Sequence, residues 1–297
     1  MKRVLIIGAT GNVGRAVVAQ LSAANVQIRA LTRAPCVIGL PAELEVVRGD
    51  LTVPATLDRA LAGVDTVFLV WCAPAEAVAP ALERIAKRVG RVVFLSSPHQ
   101  TPHPFFQQAG WRPGAAMANP AAALHAEIER LIVGSGLRWT FLRPGMFASN
   151  CVLWWAAQIR AGDVVRWPYA EAATAPIDVR DIAAVAARVL CDEGDHMEHD
   201  STDYVLTGPE SLSQSEQVRT IGAVLGRSLR LEEISPEQAR IELLTVMPLP
   251  VINMLLNAWA GAVGQPAFVT TAVADITGMP ARTFRDWAGD SVVGFPG

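Results

Sequence analysis

The chain begins with an apolar run that leads into three glycines, Val4-Leu5-Ile6-Ile7-Gly8-Ala9-Thr10-Gly11-Asn12-Val13-Gly14. Gly8 allows the chain to turn sharply out of a strand, and Gly11 lets backbone N–H groups approach a pyrophosphate. Gly14 allows the following helix to pack closely on the sheet. Because the glycines follow a strand-like run and open a helical pattern, the stretch predicts a dinucleotide-binding turn.

The predicted contacts to the dinucleotide start in this turn. The phosphates are expected at the N-terminus of the helix that carries Val17 and Leu21, where backbone amides and the helix dipole favour negative charge. The predicted contact residues in the turn are Gly8, Thr10, Gly11, Asn12, Val13 and Gly14.

Composition excludes several classes of protein. Of the 297 residues, 51% are apolar and 18% charged, which is typical of a folded globular protein. The net charge of −3, without a basic block, argues against a nucleic-acid partner. The four cysteines form no CxxC pair, so neither a zinc site nor a disulfide framework is expected, and a cytoplasmic location is favoured.

Membrane segments are not expected either. The apolar run after Lys2-Arg3 ends after four residues, which is too short for a signal peptide. The longest apolar stretch, Val246 to Val263, is interrupted by two prolines and two asparagines. This stretch is interpreted either as a lid over a binding cleft or as a contact in a homodimer.

The end of the second predicted strand bears on the choice of cofactor. The strand covers Val26 to Leu31 and ends at Thr32-Arg33, and no Asp or Glu occurs between Gly8 and Glu43. An acid near this position would bind a ribose 2′-hydroxyl, whereas an arginine accommodates a 2′-phosphate. NADP(H) is therefore favoured and NAD(H) is possible; the alternative for Arg33 is a solvated surface cation.

Strands and helices alternate up to about residue 145, which predicts a doubly wound parallel sheet of the Rossmann type. Ligands bind beyond the carboxyl ends of such strands. The residues at or just after these ends are Gly8, Arg33, Asp50, Leu51, Trp71, Ser96, Ser97 and Pro144. Asp50 is expected either to accept a hydrogen bond from adenine or to cap the next segment. The predicted organisation is an NAD(P)-binding domain over 1–150 and a smaller mixed α/β substrate-side subdomain over 151–297, with segments that can interdigitate.

Several strings together resemble one family. They are GATGNVG at 8–14, Leu31-Thr32-Arg33, Gly49-Asp50-Leu51, the run from Gly136 to Gly145, Ile177 to Ala183, Leu206 to Glu210, and Thr283-Phe284. Over nearly its whole length the chain is similar to the NmrA-like atypical short-chain dehydrogenases/reductases. The resemblance implies a Rossmann fold and an NAD(P) cofactor. Members include quinone and azo reductases, reductases of plant phenolics, tailoring proteins of aromatic polyketides, and regulators that bind the nucleotide without turnover.

The chain departs from the catalytic pattern of the wider superfamily, which uses a tyrosine and a lysine four residues later. Its only tyrosines are Tyr169 and Tyr204, and no lysine follows Lys87. The resemblance places Ala121 and His125 at the two positions. His125 is therefore a candidate to bind the nicotinamide ribose or to donate a proton. The alternative is an ordinary helix histidine paired with Glu129.

Other candidate residues follow the fifth strand. Ser97 is a candidate hydrogen-bond donor to substrate or nicotinamide, and His99 or His103 a candidate proton donor; shaping the loop is the alternative for both histidines. His196 and His199 are interpreted as parts of a solvated loop, and no metal site is expected. Among eight tryptophans, several are expected either to wall an apolar cleft or to fill the core. They are Trp71, Trp111, Trp154, Trp155 and Trp167.

These observations favour an NADPH-dependent reductase of an apolar, aromatic carbonyl or quinone. Quinones demand little of a dedicated acid because the product oxyanion is stabilised by its ring. The alternatives are a non-catalytic NADP(H) sensor and an oxygenase or coupling enzyme in aromatic polyketide biosynthesis. A small substrate and a possible homodimer are the expected partners.

Overall fold

The computed structural model describes residues 1–34, 39–101, 103–107, 120–192 and 199–295. Short 3₁₀ turns cover Pro54–Thr56, Ala75–Ala77 and Val292–Gly294. The strands are β1 (Lys2–Ile7), β2 (Val26–Thr32), β3 (Glu45–Arg48), β4 (Thr66–Val70), β5 (Arg91–Leu95), β6 (Arg138–Pro144), β7 (Val164–Trp167), β8 (Ala173–Thr174), β9 (Thr202–Leu206), β10 (Leu212–Ser213) and β11 (Arg230–Glu233). The helices are α1 (Asn12–Leu21), α2 (Leu57–Leu61), α3 (Val78–Ala86), α4 (Pro104–Gln107), α5 (Pro120–Gly134), α6 (Asn150–Ala161), α7 (Val179–Cys191), α8 (Gln214–Leu225), α9 (Pro236–Leu243), α10 (Leu249–Ala262), α11 (Ala272–Thr277) and α12 (Phe284–Asp290).

The chain forms two compact units that interleave along the sequence. Unit 1 comprises Met1–Ser97, Leu124–Pro144 and Val179–Tyr204, and unit 2 comprises Pro98–Ala123, Gly145–Asp178 and Val205–Gly297. Relative to the predicted division at 150 and 151, Pro98–Ala123 lies with the second unit and Val179–Tyr204 with the first. The predicted division followed chain order, whereas the two units follow contacts between segments that are distant in the chain.

Unit 1 is built around a sheet of seven strands in the order β3-β2-β1-β4-β5-β6-β9. The pairs from β3 to β6 are parallel, with Leu5 opposite both Arg29 and Val67 in the register of the central strands. The predicted doubly wound parallel sheet is confirmed. Strand order reverses between β1 and β4, and ligands bind at such a switch point in open α/β sheets.

Side-chain alternation divides the sheet of unit 1 into two faces. Leu5 and Ile7 are buried in a core shared with α2, α3 and α5. Val4 and Ile6 are also fully buried and point to the opposite face because successive strand residues alternate. Helices α1 and α7 contact each other and pack on strands of the same sheet. The central strands are therefore covered on both sides, which explains why their sequences are continuously apolar.

Unit 2 has a smaller, mixed α/β structure. Its strands form two pairs, β7 with β11 in parallel and β8 with β10 antiparallel. Helices α8, α9 and α12 begin with capping boxes, in which Ser213, Ser235 and Thr283 accept a backbone hydrogen bond three residues on. Sequence periodicity did not predict α4, α11 or the two-residue strands β8 and β10, because such short segments carry too little pattern.

Most tryptophans that were considered as cleft walls lie in the core of unit 2. Trp154, Trp155 and Trp167 are 9%, 0% and 2% exposed, and they cluster with Trp259 at 1%. Their ring centroids lie 5.4 to 6.2 Å apart. Of the two expectations for these three tryptophans, filling the core is confirmed and walling a cleft is wrong. Trp111 lies outside the described residues.

No helix within the described ranges is both long and apolar enough to cross a bilayer.

Candidate functional site

The glycine turn after β1 has the geometry that its sequence predicts. Gly8 has φ of +84°, a conformation that favours glycine, and the Gly11 N–H donates to the Gly8 carbonyl over 3.0 Å. A Cβ at Gly14 would lie 2.2 Å from the Gly8 carbonyl oxygen, and one at Gly8 would lie 2.7 Å from Cβ of Val70. The turn is therefore packed too tightly for side chains at these two positions.

The N-terminus of α1 is suited to an anion. Gly11 is its N-cap and provides no side-chain hydrogen bond, and the first turn contains no acidic residue. The first amides of a helix have no intrahelical acceptor, and the helix dipole makes this end positive. Asn12, Val13 and Gly14 are the residues of this turn, so their backbone would hold a pyrophosphate if the nucleotide binds as the sequence predicts.

A cavity of about 690 Å³ opens beside this turn in unit 1. It brings together six of the predicted cofactor residues from the ends of different strands: Gly8, Thr10, Gly11, Arg33, Asp50 and Leu51. Further lining residues include Arg15, Thr52, Cys72 and Pro74. A cavity of this size is in the range of ligand sites and is open to solvent on one side.

Three titratable groups in the cavity influence one another. Two hydrogen bonds from Thr52, one from its N–H over 2.9 Å and one from its hydroxyl over 2.8 Å, lower the pKa of Asp50, and the charge of Arg33 lowers it further. Burial of the sulfur raises the pKa of Cys72, against the effect of Arg33. Asp50 accepts these bonds within its own turn, and the two helical segments that follow begin without a side-chain cap, so the expected capping contact is absent. The adenine contact stays a prediction.

Arg15 is a second cation in the cavity, and the sequence analysis missed it. Its Nε donates to the Thr10 carbonyl over 2.8 Å. Its guanidinium lies against Gly39, where an added Cβ would be 2.5 Å from Nη1. The available sequence pattern was its position directly after the third glycine, which places it in the first turn of α1.

The remaining predicted cofactor residues occupy other places in unit 1. Trp71 is half-buried against the core, and its Nε1 donates to the Ala73 carbonyl over 2.6 Å. Pro144 ends β6 and is buried. Ser96 follows β5 and its hydroxyl donates to Glu129 over 2.5 Å. The predicted nucleotide contacts of these three residues stay predictions.

A buried ion pair joins the carboxyl ends of β5 and β6 to α5. Arg143 donates to both carboxylate oxygens of Glu129, over 2.9 and 2.7 Å, and to Asp203 over 2.6 Å. The side chains of Arg143 and Glu129 are 7% and 6% exposed. Together with the hydroxyl of Ser96, these contacts fix the helix that carries the candidate proton donor.

His125 lies one turn before Glu129 on α5. Its half-buried ring stands edge-on to Phe94 of β5, with centroids 5.7 Å apart. The contact positions the imidazole above a strand whose carboxyl end carries Ser96. Glu129, the suggested pairing partner of His125, is itself engaged by Arg143 and Ser96.

The other candidates after β5 divide between the units. Ser97 belongs to unit 1 and is half-buried, whereas His99 belongs to unit 2 and is 4% exposed. In unit 2, His103 Nδ1 accepts a hydrogen bond from the Phe105 N–H over 3.2 Å, and His103 Nε2 lies 2.9 Å from the Pro266 carbonyl oxygen. Both ring nitrogens of His103 therefore contact backbone groups, which suits a structural role better than proton donation.

His199 requires a correction, since it was interpreted as part of a solvated loop. It is 4% exposed, its Nδ1 is 2.7 Å from the Tyr204 hydroxyl, and its Nε2 is 3.5 Å from Asp192. Tertiary contacts with β9 and the end of α7, which local sequence does not reveal, bury the ring. His196 lies outside the described residues. Within the described part of the chain, no cluster of three or more His, Cys, Asp or Glu has the arrangement of a metal site.

Comparison with known families agrees with this geometry. A family model described as NAD(P)H-binding matches residues 8–193. The chain belongs to this NAD(P)H-binding family. It is of the NmrA-like, atypical short-chain dehydrogenase/reductase type, and its class is that of NAD(P)H-dependent oxidoreductases.

Two curated relatives align over almost the whole chain. A (4-alkanoyl-5-oxo-2,5-dihydrofuran-3-yl)methyl phosphate reductase from Streptomyces griseus is 38% identical, covering 98% of this chain and 99% of the relative. An NAD(P)H azoreductase from Xenophilus azovorans is 34% identical, covering 96% of each chain. The crystal structure of an NADPH-dependent quinone oxidoreductase from Escherichia coli has the same fold, with a TM-score of 0.79, 23% identity, and coverage of 97% of this chain and 99% of that one.

Proposed function

We propose that this protein is an NADPH-dependent reductase of a small, apolar, electron-poor acceptor, such as a conjugated carbonyl or a quinone. The observation that carries the proposal is the cavity of unit 1, which joins the glycine turn at the N-terminus of α1 to two arginines. The family membership supports nucleotide binding. The proposal adds the preference for NADPH and the class of substrate.

The preference for NADPH rests on charge. Arg33 follows β2, where an acid would bind the 2′-hydroxyl of NAD(H), and Arg15 lines the same cavity. Two guanidinium groups match the geometry and charge of a 2′-phosphate better than those of a hydroxyl. Among the described residues that line the cavity, Asp50 carries the one carboxylate, and it accepts two hydrogen bonds from Thr52.

The substrate class rests on the relatives. The Streptomyces griseus enzyme is named for an oxo-dihydrofuran that bears an alkanoyl group, and the Xenophilus azovorans enzyme for azo compounds. Both names describe acceptors that contain a reducible double bond, conjugated C=O or C=C in the first case and N=N in the second. Reduction of such a group by two electrons needs a hydride at one atom and a proton at the other, and bound NADPH supplies the hydride.

The residues of the chain would supply binding, orientation and the proton. The buried contacts of Glu129 with Arg143 and Ser96 hold α5 at the carboxyl ends of β5 and β6. We propose that His125 on this helix donates the proton to the substrate oxygen. A quinone product ionises easily and needs little help, so His125 is required most for ketones whose product oxyanion is not stabilised.

The test is the consumption of NADPH and NADH by the purified protein with menadione, methyl red and acetophenone, repeated with His125→Gln. The proposal predicts turnover with NADPH preferred. It also predicts that His125→Gln lowers kcat for acetophenone by at least about tenfold and for menadione by much less. Glu127→Gln, an exposed change on the same helix, serves as the control.

Saturable NADPH binding without turnover of any acceptor would contradict the proposal and favour a nucleotide sensor. An equal fold decrease of kcat with acetophenone and with menadione in His125→Gln would instead show that His125 is not the proton donor. We further propose a reducing cytoplasm as the compartment, because the widely spaced cysteines form no CxxC pair and neither Cys72 nor Cys151 is in a disulfide.

A further inference from the structure

Many of the exposed apolar side chains of unit 2 lie in one short stretch, where α9 ends and α10 begins. Five large ones occur within residues 241–251, and each is between 39% and 70% exposed. Single exposed apolar residues are ordinary, whereas a group of them marks a surface that another molecule covers. The five residues of this 241–251 patch are Ile241, Leu244, Val246, Leu249 and Val251.

The patch continues onto a helix that has no charged side. None of the 14 residues of α10 is Asp, Glu, Lys or Arg. Helix α8, which has 12 residues, instead exposes Glu216 and Arg219. A helix that is apolar on all sides is typical of a buried helix. The outer side of α10 therefore has the composition of a covered surface, although Leu249 and Val251 on it are exposed.

The inner side of α10 belongs to the core of unit 2. Four of its large side chains are at most 8% exposed and pack in one cluster: Ile252, Leu255, Leu256 and Trp259. Movement of α10 away from this cluster would expose all four side chains to water, at a cost of several kcal/mol. This packing argues against the interpretation of the stretch from Val246 to Val263 as a lid.

The charge of the patch limits the kind of partner that fits it. No charged residue occurs between Leu243 and Ala274, and Glu242, the one charged residue inside the patch, pairs with Arg166 over 2.8 Å. A charged partner would therefore lose its hydration on the patch without meeting an unpaired opposite charge. The patch also contains none of the Trp, Tyr, Lys or Arg residues that are typical of surfaces bound to a bilayer. These features favour a protein surface that is itself apolar and neutral.

We propose that the 241–251 patch binds the same patch on a second copy of this chain, related to the first by a two-fold axis. In such a contact a surface meets itself, so a neutral patch opposes no like charges. Every copy also carries the neutral apolar surface that its partner requires. The proposed contact lies outside the nucleotide cavity and does not depend on the reductase activity.

Leu249 allows this contact to be broken without loss of the fold. It is 45% exposed and is the first residue of α10, where an acidic side chain interacts favourably with the helix dipole. Leu249→Asp is therefore expected to fold while it places two like charges in the contact. Leu249→Lys places two charges of the other sign there. Leu153→Asp changes a 62% exposed leucine of α6, outside the patch, and serves as the control.

The test is sedimentation velocity of the full chain at concentrations from about 1 to 100 µM. We expect the unmodified chain to form dimers with a Kd below about 20 µM. Leu249→Asp and Leu249→Lys should each raise this Kd at least about a hundredfold, and Leu153→Asp should change it less than about twofold. An equal mixture of the two Leu249 variants should associate at least about fivefold more tightly than either variant alone, because their charges then attract. Thermal unfolding of each variant shows that it is folded.

Three results would overturn the inference. The first is an unmodified chain that stays monomeric over this range, and the second is a dimer that persists in both Leu249 variants. The third is a mixture that associates no more tightly than its components, since the patch would then not meet itself. Flotation with phosphatidylcholine vesicles tests the alternative covering: binding of monomers to the vesicles, lost in Leu249→Asp, would assign the patch to a lipid surface and contradict the proposal.

Discussion

The cavity of unit 1 differs in how the sequence builds it from a narrow slot of unit 2, whose walls include His103, Phe106, Gly145 and Phe268. The cavity is large and contains charged side chains, and one short stretch, residues 8–15, provides several of its lining residues together with residues that follow β2, β3 and β4. The slot is small and uncharged, and it is assembled from five segments separated by up to 163 residues, as in the pair of His103 and Pro266.

This difference follows from the kind of surface that each region presents. A pyrophosphate is bound by backbone amides and a helix dipole, which a short glycine motif provides on its own. An apolar group is bound by side-chain surfaces that face each other, and any distant segments with suitable residues can provide them. Local sequence therefore predicts the glycine turn much better than it predicts the apolar slot.

Glycine replacements give the largest expected contrast between the two units. Gly14→Ala puts a methyl group 2.2 Å from a carbonyl oxygen of the turn, whereas Gly289→Ala in α12 of unit 2 meets nothing within 4 Å. We expect Gly14→Ala to weaken NADPH binding at least about a hundredfold and to lower Tm. Fluorescence titration and thermal unfolding measure both effects. Equal NADPH affinity and equal Tm in the two variants would show that NADPH binding does not require close packing of the turn.

The buried ion pair sharpens the comparison, because it is a long-range feature within unit 1. Glu129→Gln leaves Arg143 buried with a weakened partner, so we expect a loss of about 3 kcal/mol in the free energy of unfolding. Glu127→Gln on the same helix breaks only the exposed pair with Arg130 and should cost less than about 0.5 kcal/mol. Urea denaturation measures both. Similar losses of unfolding free energy in the two variants would mean that burial of the Glu129–Arg143 pair contributes nothing to stability.

Thiol labelling of two cysteines allows the cavity of unit 1 to be compared with the core of unit 2. Cys72 lines the cavity, whereas Cys151 is 1% exposed in the core of unit 2. Burial raises the pKa of both thiols. N-ethylmaleimide should therefore label Cys72 faster as pH rises and should not label Cys151 in the folded protein. Bound NADPH should slow the labelling of Cys72 about tenfold, as measured by mass spectrometry; labelling that ignores NADPH would place the nucleotide elsewhere.

The smallest effect concerns the carboxylate in the cavity. Hydrogen bonds from Thr52 lower the pKa of Asp50, so the ionised form stabilises the folded protein above the unfolded value of about 3.9. This stability is lost as pH falls through the folded pKa. Asp50→Asn should cost less than about 0.5 kcal/mol at pH 7 and nothing at pH values below the folded pKa. A constant difference from pH 2 to 7 in urea denaturation would contradict this assignment.

Sequence alone predicted the parallel sheet, the alternation of its strands and helices, and several of the strand ends that line the cavity, but it did not place β9 in this sheet. Apolar runs and glycine spacing are local, and the carboxyl ends of parallel strands share one edge, so Arg33, Asp50 and Leu51 could be placed near Gly8. Which of these residues bind the nucleotide stays a prediction.

Other features depend on contacts that no local pattern encodes. The pairing of Arg143 with Glu129, the burial of His199 and the bond from His103 to Pro266 all join distant segments. The tryptophans show the same limit: their number suggested an aromatic cleft, but packing with Trp259 places three of them in the core. Arg15 was missed for a different reason, since an arginine in the first turn of a helix is usually a solvated residue.

The central claim is that the cavity of unit 1 is an NADPH site in which Arg33 contacts the 2′-phosphate. The most direct measurement is the Kd of NADPH and of NADH for the unmodified chain, for Arg33→Ala, and for Arg48→Ala, an exposed arginine at the end of β3. The account predicts that Arg33→Ala raises the Kd of NADPH by about 10- to 100-fold and changes the Kd of NADH by less than about twofold. Arg48→Ala should change neither Kd. Equal losses for both nucleotides, or none, would contradict it.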